Sequence, residues 1–143
     1  MKIIIASDHA GIKLKEAIKK YLVKNKISID DIGTYTEDSV DYPDYAHKAA
    51  RAIEKKKYQL GILVCGTGLG MSMAANKHKG IRAARLTSIY DAQMAKEHNN
   101  ANILCFGART SSEKLVLKML AAFLKADFAG GRHTKRIRKI SLA

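Results

Sequence analysis

Residues 60–64 form an apolar run, Leu-Gly-Ile-Leu-Val, that ends in Cys65 and opens directly into Gly66-Thr67-Gly68-Leu69-Gly70. No other stretch limits the fold as strongly. A run this short, apolar at every position, reads as a strand buried on both faces, which is the mark of a parallel sheet covered by helices. Three glycines at alternate positions let the backbone turn tightly after it. The turn feeds a helical segment, Met71-Ser72-Met73-Ala74-Ala75-Asn76, and leaves backbone N–H groups unpaired at its start. Such groups suit an anion or a developing oxyanion. Cys65 and Thr67 stand at the lip of this turn, and a thiol and a hydroxyl beside an anion site are the parts of a catalytic centre.

Strand and helix signals alternate from end to end. Strand patterns fall at 2–6, 27–32 (weaker), 60–65, 81–86 and 102–106. A helix is expected over 11–24, where Ile12, Leu14, Ala17, Ile18, Tyr21 and Leu22 keep helical spacing. Further helices are expected over 44–56, from the glycine turn to 78, from a Ser88 cap to 98, and from Ser111 or Ser112 to 124. A loop rich in acids and hydroxyls, 34–43, precedes the second helix, and Gly130-Gly131 separates the last from a basic segment. Five strands each followed by a helix imply an α/β fold of three layers, Rossmann-like, with a five-stranded parallel sheet and helices on both faces. Ligands in such sheets bind beyond the carboxyl ends of the strands, where strand order reverses. Asp8-His9, Cys65-Gly66-Thr67 and Gly107-Ala108-Arg109 all fall at strand ends of that kind.

The 143 residues suffice for one domain with a proper core, read as 1–143 with a basic C-terminal segment. No apolar stretch approaches the roughly 20 residues that span a bilayer. The apolar start, Met1 to Ala6, is broken at once by Ser7-Asp8-His9, too short for a secretory leader, so a cytoplasmic protein is expected. Cys65 and Cys105 end apolar runs, match no zinc spacing and, in a reducing compartment, are not expected to pair. Taken singly, either could be a packing residue. The net charge of +13 fits nucleic acid, an acidic partner or a small anionic substrate. Its densest cluster, Arg132-His133-Thr134-Lys135-Arg136-Ile137-Arg138-Lys139, is led by arginine, which suits bidentate phosphate recognition.

Other readings compete. A dinucleotide site is disfavoured because the glycines give GxGxG after the third strand, with no acid closing the fourth, which ends in Arg85-Leu86. The Lys-Ser/Thr of a nucleotide P-loop is absent as well. Asp8-His9 could be only a capped turn, and His98-Asn99-Asn100 only a helix end where a histidine complements the dipole. His47 and His78 suggest no function.

Together these pieces resemble the ribose-5-phosphate isomerase type B family, which also includes galactose-6-phosphate and allose-6-phosphate isomerases. The matching stretches are Ser7-Asp8-His9-Ala10-Gly11, Asp41-Tyr42-Pro43, the run from Cys65 to Gly70, Ala74-Ala75-Asn76-Lys77, Gly80-Ile81-Arg82-Ala83, His98-Asn99-Asn100-Ala101-Asn102 and Gly130-Gly131-Arg132-His133 with Arg136. They run from the first strand to the C-terminal segment, so the resemblance spans essentially the whole chain.

The resemblance implies an aldose–ketose isomerase without metal or other cofactor, working through a cis-enediolate on ribose 5-phosphate and ribulose 5-phosphate. A six-carbon sugar phosphate is the alternative on the same scaffold. By that analogy Cys65 shuttles the proton between C2 and C1, and Thr67 passes one between the two sugar oxygens. Backbone N–H groups from Gly66 through Gly68 to Gly70 steady the enediolate, and one such donor is typically worth about 3 kcal/mol in a transition state. His98, with Asp8 as a possible partner, opens the furanose ring; Asn99 and Tyr42 hold hydroxyls; His9, Arg109, Arg132 and Arg136 gather the phosphate. The site is completed across a subunit interface, so a homodimer or homotetramer is expected, with no nucleic-acid or membrane partner.

Overall fold

The computed structural model describes residues 1–141; the last two residues of the expected domain lie outside the described residues. Five strands form one parallel sheet: β1 (Lys2–Ser7), β2 (Ser28–Asp31), β3 (Leu60–Cys65), β4 (Ala83–Arg85) and β5 (Ile103–Gly107), in the order β2-β1-β3-β5-β4. Among the described residues six helices accompany them: α1 (Ile12–Lys24), α2 (Tyr42–Glu54), α3 (Leu69–Ala75), α4 (Ile89–Glu97), α5 (Glu113–Lys125) and α6 (Arg132–Ile140). None is long and apolar enough to cross a membrane.

Alternation along the strands builds two cores. Ile3, Ile5, Ile62, Val64, Leu104 and Phe106 face α1, α4 and α5, while Ile4, Ala6, Leu63, Cys65, Ile103 and Cys105 face α2 and α3. The second face is lined by small residues, Ala46, Ala49 and Ala50 of α2 and Ala75 of α3, so the helices there lie close to the sheet. The three-layer expectation thus holds. β1 leads outward to the edge strand β2, and the chain then returns past β1 to β3, so the order reverses between β1 and β3. Their carboxyl ends, Ser7 opposite Val64, open the crevice in which ligands of such sheets sit.

Several boundaries differ from the sequence expectation for identifiable reasons. α2 begins at Tyr42, two residues early, because Pro43 fits within the first turn, where its missing N–H costs nothing. α3 stops at Ala75 because the Asn76 side chain turns to β4, accepting from Ala83 N–H at 2.8 Å and donating to its carbonyl at 2.9 Å. β4 keeps only three residues, since Ile81 and Leu86 are buried for packing but lie beyond the ladder. Ser88 and Ser112 cap α4 and α5 as expected, accepting from Asp91 and Leu115 N–H. The basic segment is the helix α6, with His133, Ile137 and Ile140 at helical spacing.

A buried ion network ties α1 to the loop that follows β2. Lys15, fully buried, donates from Nζ to Asp31 Oδ1 at 2.9 Å and to the Thr34 carbonyl at 2.6 Å, and Lys19 reaches Asp31 Oδ2 at 2.9 Å. Burial alone would raise the Asp31 carboxyl. Hydrogen bonds from Lys19, the Gly33 N–H and Lys15 outweigh it and hold Asp31 below the usual carboxylate range. A depressed carboxyl contributes stability above its unfolded pKa, near 3.9, and that contribution is lost as pH falls through the folded value. Lys15→Met is expected to cost about 3 kcal/mol, the low end for breaking a buried pair because Lys19 and Gly33 still hold Asp31. Denaturant midpoints at pH 7 measure that loss, and repeating them toward pH 3 should show wild type and variant converging.

Candidate active site

At the carboxyl end of β1, Asp8 is buried; its N–H donates to the Val64 carbonyl at 3.1 Å and its Oδ1 accepts from Ala10 N–H at 2.9 Å. The capped-turn geometry is therefore present, and it anchors a 3₁₀ turn, His9–Gly11, against β3. Gly11 is required there, because a Cβ would lie 2.6 Å from the Val64 carbonyl oxygen. His9 Nδ1 accepts from Val40 N–H at 3.2 Å, which leaves its proton on Nε2 when the ring is neutral.

Cys65 closes β3 on the α2–α3 face, buried, with its Sγ accepting from Gly68 N–H at 3.1 Å. Gly68 has φ +78°, the left-handed conformation this turn needs. Thr67 is exposed; its Oγ1 accepts from Leu69 N–H at 3.2 Å and its carbonyl accepts from Arg85 Nε at 2.8 Å. Among the described residues, the N–H groups of Gly66, Thr67 and Gly70 have no hydrogen-bond partner within the chain, so donors stand open around the sulfur. Tyr42 lies across Gly70 so closely that a Cβ there would sit 2.6 Å from the phenol oxygen. Arg109 lies over Gly66, its Nη1 3.2 Å from where a Cβ would be. Thiol, hydroxyl, phenol and guanidinium thus ring one turn, with the His9 imidazole at the end of the neighbouring strand. Arg85 joins them without sequence warning beyond its place at a strand's carboxyl end.

Cys105 sits one pleat behind Cys65, since Leu63 is its partner in the β3–β5 register. Strand spacing and rise put the two Cα atoms about 8 Å apart, beyond the roughly 7 Å that a disulfide tolerates. Burial and the neighbouring Cys65 push the Cys105 thiol far up, so it stays protonated.

His98 and Asn99 are elsewhere. α4 starts after the carboxyl end of β4 and carries the chain back to the amino end of the sheet, where His98 caps it. The next residues are fixed there by Arg82, whose guanidinium donates to the Asn99 carbonyl at 3.0 Å and the Asn100 carbonyl at 2.8 Å. A strand of five residues, about 17 Å, separates this end from Cys65. His98 stacks on His133 of α6, ring centroids 4.2 Å apart and 12° from parallel. Burial, then the charges of His98, Arg132 and Arg136, hold His133 below the ordinary imidazole range. Arg132 and Arg136, one turn apart on α6, therefore belong with His98, and within one chain Asp8 is not at hand to partner it. A cleft of about 620 Å³ between the α3 exit and the end of α6 reaches Asn99 but not Cys65. His47 and His78 meet at 2.7 Å, with Glu54 3.3 Å from the far nitrogen of His78, and His78 lines the same cleft as Asn99. Among the described residues no group of three or more side chains has metal-holding geometry.

The family profile described as Ribose/Galactose Isomerase matches residues 3–140. The chain superposes on the crystal structure of a ribose 5-phosphate isomerase from Thermotoga maritima with TM-score 0.96 and 51% identity, over 99% of this chain and 98% of that one. Against the ribose-5-phosphate isomerase B of Mycoplasma genitalium with bound ribulose-5-phosphate the TM-score is 0.93 at 43% identity, over 99% and 94%. The Escherichia coli ribose-5-phosphate isomerase B is 41% identical over 140 residues, 98% of this chain and 94% of the relative.

Proposed function

Because the chain belongs to the Ribose/Galactose Isomerase family, we propose that it interconverts ribose 5-phosphate and ribulose 5-phosphate through a cis-enediolate, with Cys65 as the base. The observation that carries this reading is the sulfur itself: it ends a buried strand at the point of order reversal, beside open N–H donors, and accepts one N–H already. The thiolate takes the proton from C2 of the open-chain aldose and returns it to C1. Charge that develops on the sugar oxygen meets the N–H groups of the turn, aimed before the reaction starts. Thr67 passes a proton between O1 and O2, and Tyr42 holds a hydroxyl over Gly70. His98 opens the ring by acid–base transfer, Asn99 binds a hydroxyl, and the phosphate is gathered by His9, Arg109, Arg132 and Arg136.

These roles call on two groups of residues that one chain holds apart. A second copy supplies the missing half: the carboxyl-end turn of one subunit meets His98 and α6 of its partner, in a homodimer or a homotetramer. A dianionic substrate also gives the arginines of α6 a purpose without nucleic acid. The M. genitalium relative, solved with ribulose-5-phosphate, favours the pentose.

The test is turnover of ribose 5-phosphate beside allose 6-phosphate and galactose 6-phosphate, in chelator. Faster turnover of the pentose is the expected result. Preference for a hexose would keep the chemistry and change the substrate, and no turnover of any by folded protein would overturn the assignment.

A further inference from the structure

The bond from Gly68 to the Cys65 sulfur is half of a longer chain. One peptide unit, between Thr67 and Gly68, carries both ends of it: its carbonyl accepts from Arg85 Nε at 2.8 Å, and its N–H donates to Cys65 Sγ at 3.1 Å. In a planar trans peptide these two groups point in opposite directions, so guanidinium, amide and sulfur lie in series. A bond from a guanidinium is charge-assisted, and it polarises the amide so that the N–H at the other side becomes the stronger donor. The stem of Arg85 also backs the turn, its Cγ 3.3 Å from where a Cβ on Gly68 would stand. A rotated peptide would withdraw the N–H from the sulfur, and the Arg85 bond opposes that rotation.

We propose that Arg85 is a positioning residue for Cys65, locking and polarising the Thr67–Gly68 peptide so that its N–H favours thiolate over thiol. The inference rests on the reading of Cys65 as the reacting base. Other titratable groups at this end of the sheet include Asp8 and His9 beyond β1, Asp31 closing β2, Asp41 and Tyr42 at the start of α2, Tyr90 and Asp91 in the first turn of α4, Cys105 in β5 and Arg109 beyond it, while α3 has none. None of them holds this peptide. Asp8 is bonded to Ala10, His9 to Val40, Cys105 stays a neutral thiol, and Arg109 lies over Gly66 instead.

The test is the rate of iodoacetamide alkylation of Cys65 against pH, read at that residue by peptide mass, in wild type, Arg85→Met and Arg85→Lys. Arg85 is half-exposed at the end of an edge strand, so both variants should fold, and thermal unfolding checks it. Arg85→Met is expected to raise the alkylation midpoint by about half to one pH unit, which slows the reaction roughly three- to tenfold at neutral pH. Arg85→Lys, with charge but no planar fork, should fall between; it carries the test alone if the methionine variant does not fold. The kcat for isomerisation should drop by the same factor at neutral pH and recover at higher pH, with KM unchanged. An unshifted alkylation midpoint in a folded variant overturns the proposal. A shifted midpoint with an unmoved isomerisation profile supports Arg85 and removes Cys65 as the base.

Discussion

Cys65→Ala is expected to lower isomerisation by about a thousandfold while leaving sugar-phosphate affinity within a few-fold, in keeping with the usual worth of a positioned general base. The proton on C2 needs a base at carbon, and two other acidic groups at the reversal of strand order are not free to serve. Asp8 is tied to Ala10, and Cys105 is a buried, protonated thiol one pleat behind. Binding should survive because the groups assigned to phosphate and hydroxyls are untouched. Loss of the sulfur leaves the Gly68 N–H without its partner, so folding is to be checked by thermal unfolding, with Cys65→Ser as the variant that keeps an acceptor. Turnover of ribose 5-phosphate and calorimetric binding of the same sugar separate the two effects. Cys105→Ala in parallel should stay within about twofold of wild type, since exchanging a small buried residue for another costs little. Retained turnover in Cys65→Ala would remove Cys65 as the base.

Much of this architecture is legible before any coordinates. The β3 run, apolar at every position, reads as a strand covered on both faces, and the glycines behind it allow a sharp turn. What sequence could not supply was partnership across the chain. That Cys105 lies behind Cys65 depends on the β3–β5 register, and that Arg85 reaches the Thr67 carbonyl depends on which strands are neighbours. β4 is shorter than its apolar pattern because Ile81 and Leu86 are buried like strand residues while packing from loops. In the basic segment the charge masks a helical stripe, His133, Ile137 and Ile140, that marks α6. The location of His98 was implicit in the alternation itself: a helix after a parallel strand must return the chain to the amino end, away from every strand-end motif. The seven matching stretches therefore fall into two groups that cannot meet in one chain.

That division leads to the sharpest test of the assembly. Cys65→Ala and His98→Asn chains should each be nearly inactive on the cyclic sugar, the first for want of a base, the second for want of a ring-opening group worth about a hundredfold. His98→Asn alone should recover much of its activity on an open-chain substrate, because only the ring step is damaged. When the two variants are co-expressed under different tags, random pairing makes half the dimers mixed. In a mixed dimer with two-fold symmetry, one site receives Cys65 from one chain and His98 from the other, and the opposite site receives neither. Activity should return to about a quarter of the wild-type value per chain, from two proteins that show almost none apart. A site contained within one chain gives the opposite result, because every site in the mixture would then carry one of the two lesions. Failure to recover, in protein shown to have exchanged subunits, would dismantle the shared site while leaving the chemistry assigned to Cys65 untouched.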